Sequence, residues 1–199
     1  MFNTSKMYAI LACMGVGKSE DLIREYNSYK LNNMDIIALK SRVDTREGND
    51  ECYISSRNGN KIKAQWIEKD ENIFNKIQSE IYFNSKPIKA VILDEVNFLS
   101  VSQIEQISDV VDYLDIDCYC YSLLTNYMSY LFEGSKRLIE LSDHDCIRFM
   151  TTRDSEGNIP SINAKIIDNK VIKEGKEIEI GDSQYKPITR KKWKLGRIK

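Results

Sequence analysis

Apolar side chains follow two rhythms along this chain. Met7-Tyr-Ala-Ile-Leu-Ala-Cys13 is a short apolar run, the pattern of a strand covered on both faces in a parallel sheet. It stops at Met14-Gly-Val-Gly17. From Lys18 the spacing turns helical, with Leu22, Ile23, Tyr26 and Tyr29 on one side and Ser19, Glu20, Asp21, Arg24 and Glu25 on the other. Strand, glycine loop and helix therefore follow one another directly. A second strand is expected at Asp35-Ile-Ile-Ala-Leu39. Residues 41–60 are polar, with Gly48 and Gly59, and read as a long functional loop with at most a short strand around Cys52 to Ser55.

Helical spacing returns at Asn72 to Phe83, carried by Ile73, Phe74, Ile77 and Ile81. After Pro87 comes an apolar strand, Ala90-Val-Ile-Leu93, closed by Asp94 and Glu95. A helix over Ser102 to Leu114, a strand over Asp117 to Tyr121 and a helix over Ser135 to Leu141 complete an alternation that predicts an α/β fold with a mostly parallel sheet flanked by helices. Right-handed crossovers put the strand C-termini on one edge, where ligands bind. Beyond Met150 the pattern changes to the β-type runs 164–167, 170–173 and 177–180, with turns at Gly157, Gly175 and Gly181, so a small β-rich subdomain is expected over 151–199. Its last stretch, Lys186 to Lys199, holds seven basic residues and no acidic one. That stretch reads either as a solvated, partly disordered tail or as an anion-binding or subunit-contact segment.

Composition removes several function classes. The 199 residues include 29 basic and 30 acidic side chains, a net charge of −1, which argues against a coat for nucleic acid or an anionic membrane and against a motor tracking nucleic acid. Five cysteines without a CxxC pair give neither a disulfide framework nor a zinc knuckle. One histidine, His144, argues against Ser-His or Cys-His catalysis and excludes a His-rich metal site. Residues 1–6 lack an apolar signal core and no run approaches a membrane span, so the expected compartment is the cytoplasm.

The chemistry concentrates in two segments. Ala12-Cys-Met-Gly-Val-Gly-Lys-Ser19 reads as a P-loop with alanine for its first glycine. Backbone N–H groups from Ala12, Cys13, Met14, Gly15, Val16 and Gly17 converge on phosphate, Lys18 adds a point charge, and Ser19 offers a hydroxyl to Mg²⁺. The competing reading is a glycine-rich helix N-cap. In Ala90-Val-Ile-Leu-Asp94-Glu95, Asp94 is placed to serve Mg²⁺ and Glu95 to polarise a nucleophilic oxygen; the competing reading is a strand ending in a turn. Two β-α units separate this strand from Lys18, which makes the pair more specific than either part, and together they imply a bound NTP. Asp44 and Arg46 in Val43-Asp-Thr-Arg46 are either a local salt bridge or a carboxylate and a guanidinium aimed at a phosphoryl group.

These segments, with Ser56-Arg-Asn-Gly59, Asp94-Glu-Val-Asn-Phe98, Cys120-Tyr-Ser-Leu-Leu-Thr-Asn-Tyr127, Leu131-Phe-Glu-Gly-Ser135 and Glu174-Gly-Lys-Glu-Ile-Glu-Ile-Gly181 followed by Tyr185, resemble the type II thymidine kinases from Tyr8 to Trp193. The resemblance implies a RecA-like P-loop domain over 1–150 and a small "lasso" subdomain over 151–199. It also implies transfer of the γ-phosphoryl of ATP, with Mg²⁺, to the 5′-hydroxyl of thymidine or deoxyuridine in nucleotide salvage for DNA synthesis. By the same token Glu95 falls on the general base, Ser19, Asp94 and Asp44 on the magnesium positions, and Arg46 on a phosphate contact. Met14, Phe98, Leu123, Tyr127, Phe132, Asn163, Gly181 and Tyr185 fall on nucleoside-pocket positions. A homotetramer and feedback binding of dTTP are further implications, with no nucleic-acid or membrane partner.

Departures from the pattern qualify this reading. The four positions where the family commonly holds zinc are Arg153, Glu156, Thr189 and Lys192 here. Without thiolates no zinc is expected, and a salt bridge from Glu156 to Arg153 or Lys192 is expected instead, with a looser lasso. Asn97 replaces the usual glutamine, shortening a polar reach beside the pocket. The altered pocket and missing zinc ligands leave open a non-catalytic sensor of deoxynucleoside triphosphates on the same fold.

Overall fold

The computed structural model describes residues 5–42, 51–175 and 184–196. Each apolar run of the N-terminal part forms a strand: β1 (Met7–Ala12), β2 (Asp35–Ser41), β6 (Ile88–Asp94) and β7 (Asp117–Leu123). Three short strands that no long run announces lie between or after them: the hairpin β3 (Tyr53–Ser55) with β4 (Lys61–Lys63), and β5 (Gln65–Ile67). With β8 (Ile147–Met150), the long strands and β5 make a six-stranded sheet in the order β5-β2-β6-β7-β1-β8. Every pairing in it is parallel. The expected loop over 41–60 is thus partly strand; residues 43–50 lie outside the described residues.

Alternate strand side chains feed two cores. On one face Ala9, Leu11, Leu39, Val91 and Leu93 pack against α2 (Ile73–Phe83), α3 (Val101–Leu114) and α4 (Glu133–Leu141), through Ile73, Ile77, Ile104, Ile107, Val110 and Leu138. On the other, Ile10, Ile36, Ala38, Ile92 and Tyr121 meet Leu22 and Ile23 of α1 (Lys18–Leu31), together with Cys52, Ile54 and Ile62 of the hairpin region. The helix starts have local causes. Asn72 caps α2 by accepting the Asn75 N–H, and Ser100 with Gln103 forms a capping box on α3. Gly17, at φ 87°, turns the chain into α1.

A buried carboxylate pins α1 to the sheet. Asp21 accepts the Tyr121 hydroxyl from β7 at 3.0 Å and pairs with Arg148 of β8 and with Arg24. Burial, then the Asp21 charge, pushes the Tyr121 phenol above its ordinary range, so it stays a hydrogen-bond donor.

After Met150 the chain forms a three-stranded antiparallel sheet, β10-β9-β11, from β9 (Ile162–Ile167), β10 (Lys170–Ile172) and β11 (Tyr185–Ile188). Its small core holds Ala164, Val171 and Ile188 with Ile166 and Trp193 against it. The run expected at 177–180 lies outside the described residues. The basic stretch is not a tail up to residue 196: it contributes β11 and then α5 (Arg190–Leu195), whose Trp193 indole N–H donates to the Tyr127 carbonyl at 3.1 Å.

One glycine fixes how α4 meets the turn after β6. A Cβ on Gly134 would lie 2.7 Å from the carbonyl oxygens of Leu99 and Val96 and 3.2 Å from that of Asn97. All three are backbone atoms, so relief requires the turn to move. Gly134→Ala is expected to destabilise the protein by about 1–3 kcal/mol, the usual cost of overpacking, read from urea unfolding. Stability equal to wild type would show that α4 can withdraw without cost.

Candidate active site

Lys18 opens α1, and Asp94 and Glu95 close β6, with β7 lying between β6 and β1 in the sheet. The Lys18 side chain spans that interval. Its ammonium donates to Asp94 Oδ1 and, at 3.0 Å, to Glu95 Oε1. All three residues are buried, at 8%, 3% and 8% exposure. Burial works against the ammonium charge, yet the Asp94 and Glu95 carboxylates outweigh it and hold the Lys18 pKa above the ordinary lysine value. On the alkaline side the lysine's contribution is therefore retained up to its ordinary value of 10.5 and is lost as pH rises past the higher folded-state value.

Glu95 reaches this position through a strained backbone. Its φ of 56° and ψ of 39° are left-handed, a region that costs a non-glycine residue about 1–3 kcal/mol. Its N–H donates to Asp94 Oδ1 at 2.9 Å, and its carbonyl accepts from Phe98 N–H at 3.1 Å. The chain thus leaves the strand in a tight turn that presents two successive carboxylates.

In the loop after β1, Gly15 and Gly17 have φ of 75° and 87°, values open to glycine at little cost, and both are exposed. Ala12 needs no such freedom. It is the last residue of β1, paired with Leu123 and Met150, which explains why alanine suffices there. With the N-terminus of α1 behind it, this loop is suited to bind an anion.

Around the loop, long-range hydrogen bonds set the walls. Asn163 Oδ1 accepts the Met14 N–H at 2.7 Å, and its Nδ2 donates to the Thr125 carbonyl at 3.2 Å, so β9 is tied both to the glycine loop and to the segment after β7. Asn97 Oδ1 accepts the Leu123 N–H at 3.0 Å, while Asn97 Nδ2 and Thr125 Oγ1 are buried without a protein partner. Phe98 and Phe132 meet edge to face with centroids 5.8 Å apart, and Tyr127 and Tyr185 at 6.1 Å. Of the expected pocket residues, Phe98 and Phe132 therefore form one pair, and Met14, Asn163, Tyr127 and Tyr185 line the junction with β9 and β11. Gly181, Asp44 and Arg46 lie outside the described residues.

No sequence pattern singles out Asn126, yet its buried Oδ1 accepts the N–H groups of Met128 and Tyr130 and shapes the turn after Tyr127. An Asn ahead of a short polar turn is the only signal that could have found it.

Among the described residues, no group of three or more His, Cys, Asp or Glu gathers at one point. The Ser19 hydroxyl and the Asp94 carboxylate are hard oxygen donors. They suit Mg²⁺, which takes few protein ligands and completes its shell with water and phosphate. At the four positions compared with the family's zinc ligands, Lys192 forms an ion pair with Glu156, and Arg153 donates to the Gly157 carbonyl at 2.7 Å. Thr189 caps α5 by accepting the Lys192 N–H at 3.3 Å.

Residues 5–193 match the family description "Thymidine kinase". The chain belongs to the thymidine kinase family. Among curated thymidine kinases it is 34% identical to that of Enterobacteria phage T4 over 92% of each chain. It is 31% identical to that of Haemophilus influenzae (strain ATCC 51907 / DSM 11121 / KW20 / Rd) over 96% of each, and 30% identical to that of Francisella tularensis subsp. tularensis over 96% of this chain and 98% of the relative. Family membership gives the buried lysine and paired carboxylates a kinase context, and it extends through β9, β11 and most of α5.

Replacing Lys18 by methionine leaves two neighbouring carboxylates buried without their cation. Loss of one partner from a buried ion pair costs about 3–5 kcal/mol. Urea unfolding measures this loss, and a variant as stable as wild type would contradict it. Metal analysis of the purified kinase should find no stoichiometric zinc, and one zinc per chain would overturn the ion-pair reading of Glu156 and Lys192.

Proposed function

We propose that the protein transfers the γ-phosphoryl group of ATP to the 5′-hydroxyl of thymidine or deoxyuridine, in cytoplasmic pyrimidine salvage. The observation that carries this reading is the buried cluster of Lys18, Asp94 and Glu95 beside a glycine loop at the parallel sheet's edge. A buried carboxylate next to a phosphate-binding loop suits proton abstraction during phosphoryl transfer, and membership of the thymidine kinase family names the acceptor.

In this mechanism the loop from Ala12 to Gly17 holds the donor phosphates through N–H groups other than that of Met14, which is already given to Asn163 Oδ1, and Lys18 transfers hydrogen bonds from the carboxylates to phosphate oxygen. Ser19, Asp94 and Asp44 are the residues that would hold Mg²⁺, which would neutralise phosphate charge. Glu95 accepts the 5′-hydroxyl proton as the nucleoside oxygen bonds to the γ-phosphorus. The bond from that phosphorus to the bridging oxygen breaks, and ADP departs. Arg46 adds positive charge as negative charge shifts towards the leaving group. Phe98, Phe132, Leu123, Met14, Tyr127, Tyr185, Asn163 and Gly181 surround the base, and the unpartnered Asn97 Nδ2 and Thr125 Oγ1 offer it polar contacts. A homotetramer and feedback binding of dTTP belong to the same reading.

Purified protein given ATP, Mg²⁺ and a nucleoside panel should form thymidine monophosphate. Glu95→Gln should slow turnover by about 10²- to 10⁴-fold, the range of general-base catalysis, with ATP affinity retained. Unchanged turnover in that variant would sink the assigned role of Glu95. Bound deoxynucleoside triphosphate with no nucleoside phosphorylated would instead favour the sensor.

A further inference from the structure

The β3–β4 hairpin packs on the face of the sheet that α1 covers, and its tip reaches the glycine loop. The tip is a tight turn: Ser56 N–H donates to the Asn60 carbonyl at 2.8 Å, Gly59 N–H to the Ser56 carbonyl at 3.1 Å, and Gly59 has φ 86°. Asn60 Nδ2 donates to Glu20 Oε1 at 3.1 Å, fastening the tip to the first turn of the helix that Lys18 begins. From this seat the Arg57 guanidinium lies over Gly15. A Cβ built on that glycine would be 3.4, 3.8 and 3.9 Å from Nη1, Nη2 and Cζ.

Three features of this contact point to a ligand. Arg57 is exposed, and among the described residues it makes no hydrogen bond or ion pair. Its planar fork of donors is therefore held against the loop without being committed to another protein group. Gly15 combines positive φ with open backbone, so the guanidinium sits above the groups that face a phosphate chain. Beside it, Ser56 Oγ is buried with no partner.

We propose that Arg57 is a phosphate-binding residue of the donor site, gripping the triphosphate of ATP from the hairpin side while Lys18 and the loop N–H groups hold it from the other. This rests on the ATP-donor reading above. A guanidinium matches phosphate oxygens with two parallel hydrogen bonds, which lysine cannot reproduce. The Asn60 contact to Glu20 already seats the hairpin tip for this.

The test is calorimetric titration of the full-length protein and of its Arg57→Ala and Arg57→Lys variants with Mg²⁺-ATP and with inorganic triphosphate. Loss of a charge-assisted contact should weaken both ligands by about tenfold or more in Arg57→Ala, with Arg57→Lys intermediate. The thymidine KM and the unliganded melting temperature should not move. Affinities in Arg57→Ala within about twofold of wild type would overturn the proposal. So would weaker binding accompanied by a lowered unliganded melting temperature, which would mean that Arg57 only seats the hairpin. Wild-type protein that binds neither ligand would defeat the donor reading itself. Wild-type binding with no thymidine phosphorylation would defeat the acceptor reading and leave Arg57 testable.

Discussion

Everything at the sheet edge is arranged around a buried charge problem. Lys18, Asp94 and Glu95 are removed from water together, and an unpaired charge in that position would be prohibitively costly. The solution is a spacing. With β7 between β1 and β6, a lysine at the start of α1 reaches two carboxylates at the end of β6, and the left-handed Glu95 backbone brings the second carboxylate round. With all three groups ionised the cluster keeps one net negative charge, so the site favours another cation or a proton. The same two carboxylates therefore both hold the lysine and leave the pair of acids with charge to spare.

Keeping this geometry requires contacts from elements far along the chain. Asp21 locks the first turn of α1 to β7 and β8 through Tyr121 and Arg148. The turn after Glu95 is held by Asn97 on Leu123 and by the close approach of Gly134 to three backbone carbonyls. Loss of any one of these would displace an end of the lysine-carboxylate span rather than merely loosen a surface.

The parts of this arrangement legible in the sequence are those encoded locally. Parallel strands covered on both faces require continuous apolar runs, so β1, β2, β6 and β7 can be read directly, and the glycine loop and Asp94-Glu95 sit at their ends. The short strand expected around Cys52 to Ser55 is β3, whereas β4 and β5 escape notice because three-residue strands such as Lys61-Ile-Lys63 bury a single side chain. α5 is hidden by its charge: of Arg190-Lys-Lys-Trp-Lys-Leu195, only Trp193 packs on the small core. Long-range partners such as Asn163 with Met14, or Asp21 with Arg148, leave no local pattern at all. The Glu156–Lys192 pair could be anticipated only because the resemblance placed those residues at corresponding positions.

That pair also shows what holds the C-terminal sheet. An exposed ion pair contributes about 0–1 kcal/mol, and Ala164, Val171 and Ile188 make a very small buried core. Its firmer attachments run to the main sheet instead: Asn163 to Met14 and to Thr125, and Trp193 to Tyr127. Each joins it to the glycine loop or to the segment after β7 that carries Thr125 and Tyr127. One asparagine side chain on β9 therefore holds both the glycine loop at Met14 and the segment after β7 at Thr125. Asn163 thus makes the attachment of this sheet and the join between the glycine loop and the segment after β7 one and the same contact.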